Sequence, residues 1–209
     1  MLPVEGPILL AFAVPAVATV LSPGPDTVLI LRYALGSGQK VGVAAVAGVQ
    51  LGLVVHTLLA AAGLSVILAT SPILFGAVTV AGAAYLAWIG WQGLRGVGAL
   101  AIGSGGRVGA AKALRDALLC NLLNPKVILL FLALFPQFVE PARADVPAQL
   151  VTLGGLLLLI NIAWQVPLAW AAQAARRWLD RPAVQLAVAR ATGGVFIGFA
   201  ALLLYDHLA

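Results

Sequence analysis

Apolar residues run along this chain in blocks of about twenty or more, broken by short polar turns, and blocks of that length predict membrane helices. Six spans are expected, roughly over 7–36, 41–68, 72–94, 116–139, 148–172 and 184–205. Some turns are tight, such as Gly36-Ser37-Gly38 and Thr70-Ser71-Pro72. The stretch 95–115 is longer and combines Gly96, Gly98, Gly103, Gly105 and Gly106 with Arg95, Arg107, Lys112 and Arg115. It reads as a flexible linker between two halves, 1–94 and 116–209. The expected fold is all-α, a single polytopic membrane domain of six helices.

Two spans depart from a plain apolar pattern. The first carries Ser22-Pro23-Gly24-Pro25-Asp26 at its centre, and the fourth carries Asn124-Pro125-Lys126. Proline lacks a backbone donor and clashes with the preceding turn, so both helices should break at these points. Irregular backbone survives at membrane depth only where protein or a water-filled cavity surrounds it. An intramembrane Asp or Lys is costly and reads as functional by default. Ten residues separate Asp26 from Gly36, and ten separate Asp116 from Lys126, about 15 Å of helix in each case. That is half of a hydrocarbon core of about 30 Å, so both charges are expected near the midplane. With three spans per half, the second half enters the membrane in the opposite sense. Aligned at the prolines, Asp26-Thr-Val-Leu-Ile-Leu31 lies over Lys126-Val-Ile-Leu-Leu-Phe131. A 3+3 inverted repeat with paired broken helices points to a transporter's central site.

Composition strengthens the membrane reading and narrows the function. The chain is 62% hydrophobic and 9% charged, far below the roughly 25% charge of soluble domains. The net charge of +5 belongs to loops on the cytoplasmic side rather than to nucleic-acid binding. Arg32 and Lys40, then Arg95, Arg107, Lys112 and Arg115, then Arg176, Arg177, Arg181 and Arg190 mark alternate turns, against Arg143 alone on the other side. That bias predicts both termini outside the cytoplasm. The first cation is Arg32, so the first span is expected to remain uncleaved. A single cysteine, Cys120, excludes an internal disulfide and a CxxC redox pair.

Helices restarting after Pro25 and Pro125 would present positive N-termini and free N–H groups in mid-membrane, which attract carboxylates. Asn124 is the expected cap, Lys126 adds a cation, and Asp26 can hold an ammonium or a coupling proton. The candidate substrate-binding set is Pro23, Gly24, Pro25, Asp26, Asn124, Pro125 and Lys126, with Gln50, Asn161 and Gln165 as further polar candidates. One acid and one base at one depth could clamp a zwitterion, or could simply pair with each other. Asn161 and Gln165, four apart, share a face. His56 is expected to be a hydrogen-bonded structural residue rather than a proton relay, and Asn121 equally to bond between helices or to contact substrate. Gly48/Gly52 and Gly194/Gly198 are helix-packing motifs. Tyr85, Trp88 and Trp91 could line a pocket, though Trp88 and Trp91 fit interfacial anchors better. No HExxH is present, and Gly103-Ser-Gly-Gly106 has no base nearby, so an enzyme is not expected. One cysteine and few histidines are too few soft ligands for a metal site, and no cofactor is implied. A passive channel stays open as an alternative.

Pro23-Gly24-Pro25-Asp26-Thr27, Arg32, Gly36 and the glycines Gly42, Gly48 and Gly52 resemble the lysine exporter superfamily. Asn124-Pro125-Lys126 and Phe135-Pro136-Gln137-Phe138-Val139 look like the NPK and PQF block of its homoserine/threonine efflux branch (LysE/RhtB type). The likeness covers essentially the whole chain. It implies a six-helix, proton-driven exporter of amino acids or derivatives such as threonine, homoserine lactone or leucine. Relatives carry Asn or Asp at the position of Asp26, so an obligatory carboxylate is not implied. Cation efflux is also known among relatives of the superfamily. The expected partners are a small amino-acid substrate and lipid, and the small-residue faces are compatible with a homodimer.

Overall fold

Proline opens most of the helices of this chain, at the position where its missing N–H costs nothing. The computed structural model describes residues 3–22, 24–64, 72–95, 107–140, 142, 145–172, 174, 177 and 181–208. Helix α1 (Gly6–Leu21) is followed by α2 (Pro25–Ser37) and α3 (Gln39–Leu59), which widens into a π-helical turn, Ala60–Leu64. Then come α4 (Pro72–Leu94), α5 (Ala110–Leu122) and α6 (Pro125–Ala133) with a 3-10 turn at Phe135–Phe138. Helices α7 (Val146–Trp170) and α8 (Pro182–Leu208) complete the order. No strand occurs among the described residues.

Both anticipated breaks are present. Helices α1 and α2 meet at 52°, and α5 meets the α6 segment at 56°. Segments Gln39–Gly63, Val146–Trp170 and Pro182–Leu202 are each long and apolar enough to cross a membrane, and each bent pair passes the same test as one broken span. Helix α4, 23 residues long, packs along α8.

The spans differ from expectation mainly at the start of the fourth. It begins at Ala110, not at 116, because Ala110, Ala111, Lys112, Ala113 and Leu114 are strong helix formers. Asp116 therefore lies inside the helix rather than at its mouth. Its carboxylate accepts from Tyr33 and Lys112, which makes an acid tolerable there. Sixteen residues, not ten, separate the start of α5 at Ala110 from Lys126. Of the linker expected at 95–115, residues 96–106 lie outside the described residues.

The bundle is held by two main cores. One joins Phe12 of α1, Leu53 of α3, Phe131 and Phe135 after the second break, and Leu150, Leu153 and Leu157 of α7. The other joins Ile30 and Tyr33 of α2 with Val46 and Val49 of α3 and Ala113 and Ala117 of α5. Glycines bring α3 onto α5. A Cβ on Gly48 would stand 2.1 Å from the Leu114 carbonyl oxygen, and one on Gly52 2.4 Å from Asn121 Oδ1. The Gly194/Gly198 motif is different: neither glycine has a neighbour within 4 Å of a built Cβ. The close approach there uses Gly90, whose Cβ would meet Ile197 and the Gly193 carbonyl.

This packing predicts a contrast. Gly48→Val and Gly52→Val should each destabilise the solubilised protein by about 1–3 kcal/mol through overpacking, read as a lower melting temperature. Gly194→Ala should leave that temperature unchanged or slightly raised.

Candidate functional site

Breaking a helix in the bilayer leaves carbonyls at one open end and N–H groups at the other. At the first break, α1 ends with the Thr19 and Ser22 carbonyl oxygens turned toward Lys126. Lys126 Nζ donates to both, at 2.8 Å each. Lys126 stands in the first turn of α6, so a cation from the second break caps the C-terminus of the first half-helix, where the helix dipole favours positive charge. At the second break, Asn124 caps α6 by accepting from the Lys126 backbone N–H at 3.1 Å. Asn121 Nδ2 donates to Asp26 Oδ2 at 2.9 Å, and Asn124 Nδ2 reaches the same oxygen at 3.4 Å. Asp26 itself is in the first turn of α2, the end of a helix that favours an anion. Each break is thus completed by side chains from the other.

The alternative of a plain Asp26–Lys126 ion pair is corrected by this arrangement. Among the described residues no ion pair joins them, because main-chain carbonyls and asparagine amides take their places. Both groups instead line one cavity of about 40 Å³, walled by Thr19, Ser22, Gly24, Asn124, Asn161 and Gln165 and by apolar Leu53, Val127, Leu130 and Leu157. Two buried acceptors of lining residues have no hydrogen-bond partner, Asp26 Oδ1 and Asn161 Oδ1.

Of the candidates from sequence, Gly24, Asp26, Asn124, Lys126, Asn161 and Gln165 come together here. Gln50 does not line the cavity; its Nε2 donates to Gln165 Oε1 at 3.1 Å, bracing α3 against α7. Pro23 and the Pro125 side chain lie outside the described residues, and Pro25 shapes the backbone as the first residue of α2 without lining the cavity. His56 is buried, stacked on Phe131 at 5.5 Å, with Nε2 3.3 Å from the Asn121 carbonyl. Trp88 and Trp91 are exposed, which suits anchors rather than a pocket, and the Tyr85 side chain lies outside the described residues. Sequence reasoning missed the Thr19 and Ser22 carbonyls and undervalued Asn121. Asn121 and Asn124 flank the second break, one in the last turn of α5 and one at the cap of α6, so no helical spacing relates them.

Residues 17–207 match the LysE type translocator family. The chain belongs to that family. It is 33% identical over 184 residues to a homoserine/homoserine lactone efflux protein of Salmonella typhimurium, covering 88% of this chain and 89% of the relative. It is 32% identical over 199 residues to a leucine efflux protein of Enterobacter sp., covering 94% of each. An uncharacterized membrane protein of Vibrio cholerae is 34% identical over 197 residues, covering 93% of this chain and 95% of the relative. No solved structure matches. This LysE type translocator is a membrane protein, and the cavity where its two broken helices meet is its candidate functional site.

The capping role of Lys126 has a measurable signature in this translocator. Lys126→Met leaves the Thr19 and Ser22 carbonyls without a donor and should destabilise the purified protein by about 1–3 kcal/mol per unsatisfied group. A Lys126→Met protein at least as heat-resistant as the parent would contradict the cap.

Proposed function

We propose that this chain is a secondary active exporter of small neutral amino acids or their derivatives, driven by proton counterflow across a bacterial inner membrane. The carrying observation is the cavity that holds an unpartnered oxygen of Asp26 beside a lysine ammonium bonded to main-chain carbonyls. The names of the Salmonella and Enterobacter relatives support amino acids as the cargo class. In this reading six spans form a 3+3 inverted repeat with both termini outside the cytoplasm.

A zwitterion matches the groups that face the cavity. Its ammonium suits Asp26 Oδ1 and Asn161 Oδ1, both acceptors without partners. Its carboxylate suits Lys126, which has three N–H donors and gives two to carbonyls. Leu53, Val127, Leu130 and Leu157 leave an apolar wall for a small uncharged side chain. Asp26 Oδ1 can face a proton or a cargo ammonium, but not both at once. Mutual exclusion at one atom is sufficient to couple two flows in opposite directions. The cavity is smaller than an amino acid, so loading requires the bundle to part.

Resistance to a panel of toxic amino acids and analogues, in cells overproducing the protein, tests the cargo class. Resistance to homoserine or leucine analogues is expected, and Asp26→Ala should abolish it at unchanged membrane abundance. Lys126→Ala should weaken export of free amino acids about tenfold or more relative to their amides, the effect of losing a charged hydrogen bond. An equal loss for acids and amides would remove Lys126 from carboxylate recognition. Trans-stimulation by unlabelled cargo in a counterflow assay is expected of a carrier, and its absence would favour a channel.

A further inference from the structure

Helices α2 and α5 leave the two breaks side by side and run to the same end of the bundle, where two bonds tie them and the chain before α5 together. Tyr33 Oη donates to Asp116 Oδ2 at 2.6 Å, and the Val108 backbone N–H donates to Ser37 Oγ at 2.8 Å. Tyr33 is buried at 6% exposure, while the Asp116 side chain keeps 24% of its surface in contact with the outside. Lys112 holds the same Asp116 oxygen, and Arg115 stands 3.7 Å from the other. Beside this latch the core is built largely of small side chains, Ala45, Ala113, Ala117 and Ala169, with Ile30, Val46 and Val49.

The opposite end is closed by different means. Phe12 of α1 meets Phe135 and Phe138 edge-on, each at 5.3 Å, and Phe135 stacks on Phe131 at 4.1 Å. Phe12 and Phe135 are fully buried. Parting these rings would uncover large apolar surfaces with no compensating bond. Parting Tyr33 from Asp116 trades one hydrogen bond for bonds to water at the mouth, and the core uncovered beside it is half alanine, a smaller apolar surface than the rings. Lys112 and Arg115 keep the carboxylate partnered after Tyr33 has left, so the open arrangement carries no stranded charge.

We propose that Tyr33 and Asp116 form the gate through which cargo enters from the cytoplasm. The proposal rests on the translocator reading above, with Arg32, Lys40, Lys112 and Arg115 setting the latched end in the cytoplasm. The latched end opens first because its closure is a water-adjacent polar tie over small side chains, whereas the ring plug stays shut until cargo occupies the cavity. The two ends therefore differ in the work needed to open them, which gives the cycle its loading side.

Cys120 on α5 is the sole cysteine of the chain; it is half-buried, lies one turn from Asp116 and adjoins Asp26 of α2, so a change in its labelling reports on access from the latched end. A membrane-impermeant maleimide should label it about tenfold faster in Tyr33→Phe than in the parent, from the cytoplasmic face of inside-out vesicles only. An unchanged rate, or an increase from the opposite face, would overturn the gate. A second variant guards against misfolding: Tyr33→Cys with Asp116→Cys in a Cys120→Ser chain, bridged by a cleavable bifunctional thiol reagent. Bridging should stop transport in the same preparation, and cleavage should restore it; transport that continues while bridged would overturn the gate. Faster Cys120 labelling in a protein that moves no amino acid would keep the gate and discard the cargo assignment.

Discussion

The ammonium of Lys126 seated on the Thr19 and Ser22 carbonyls is the contact on which this architecture depends. A helix that stops in hydrocarbon exposes carbonyl oxygens that neither lipid nor water satisfies, at a cost of several kcal/mol for each unsatisfied group. One lysine answers two of them and supplies the positive charge the helix end favours. In return, the second break offers Asn121 and Asn124 to the carboxylate of the first. Neither break is stable without the other half of the chain. The two halves are joined by polar need as well as by apolar packing.

The glycines of α3 serve the same junction from behind. Because Gly48 and Gly52 carry no side chain, α3 lies against the backbone of α5 and holds Asn121 where its amide meets Asp26. His56, further along α3, reaches the carbonyl of Asn121 and so braces the residue that orients the acid. A site of this kind leaves acceptors uncommitted while fixing every group around them. Asp26 has one oxygen anchored and one unpartnered.

Much of the fold was legible in the chain. The positions of the helices, the two proline breaks and the capping role of Asn124 follow from rules local to a few residues: apolar length, missing donors and an N-terminal side-chain acceptor. The start of α5 was misjudged because Asp116 looked like a terminus, and its partner Tyr33 stands 83 residues away. The Gly194/Gly198 motif misled for a related reason. Small residues permit close packing but do not choose the helix that uses them, and the approach fell to Gly90.

The sequence by itself determined that the first and fourth expected spans would break, and which charged residues would stand at the breaks, because steric clash and missing N–H groups act within one turn. Only the tertiary structure decided what those charges touch. Lys126 chose carbonyls over Asp26, Gln50 paired with Gln165 rather than facing the cavity, and Asn161 was left with an acceptor free. Those outcomes turn on a few ångströms between residues roughly 100 positions apart in the chain, a distance no local pattern encodes.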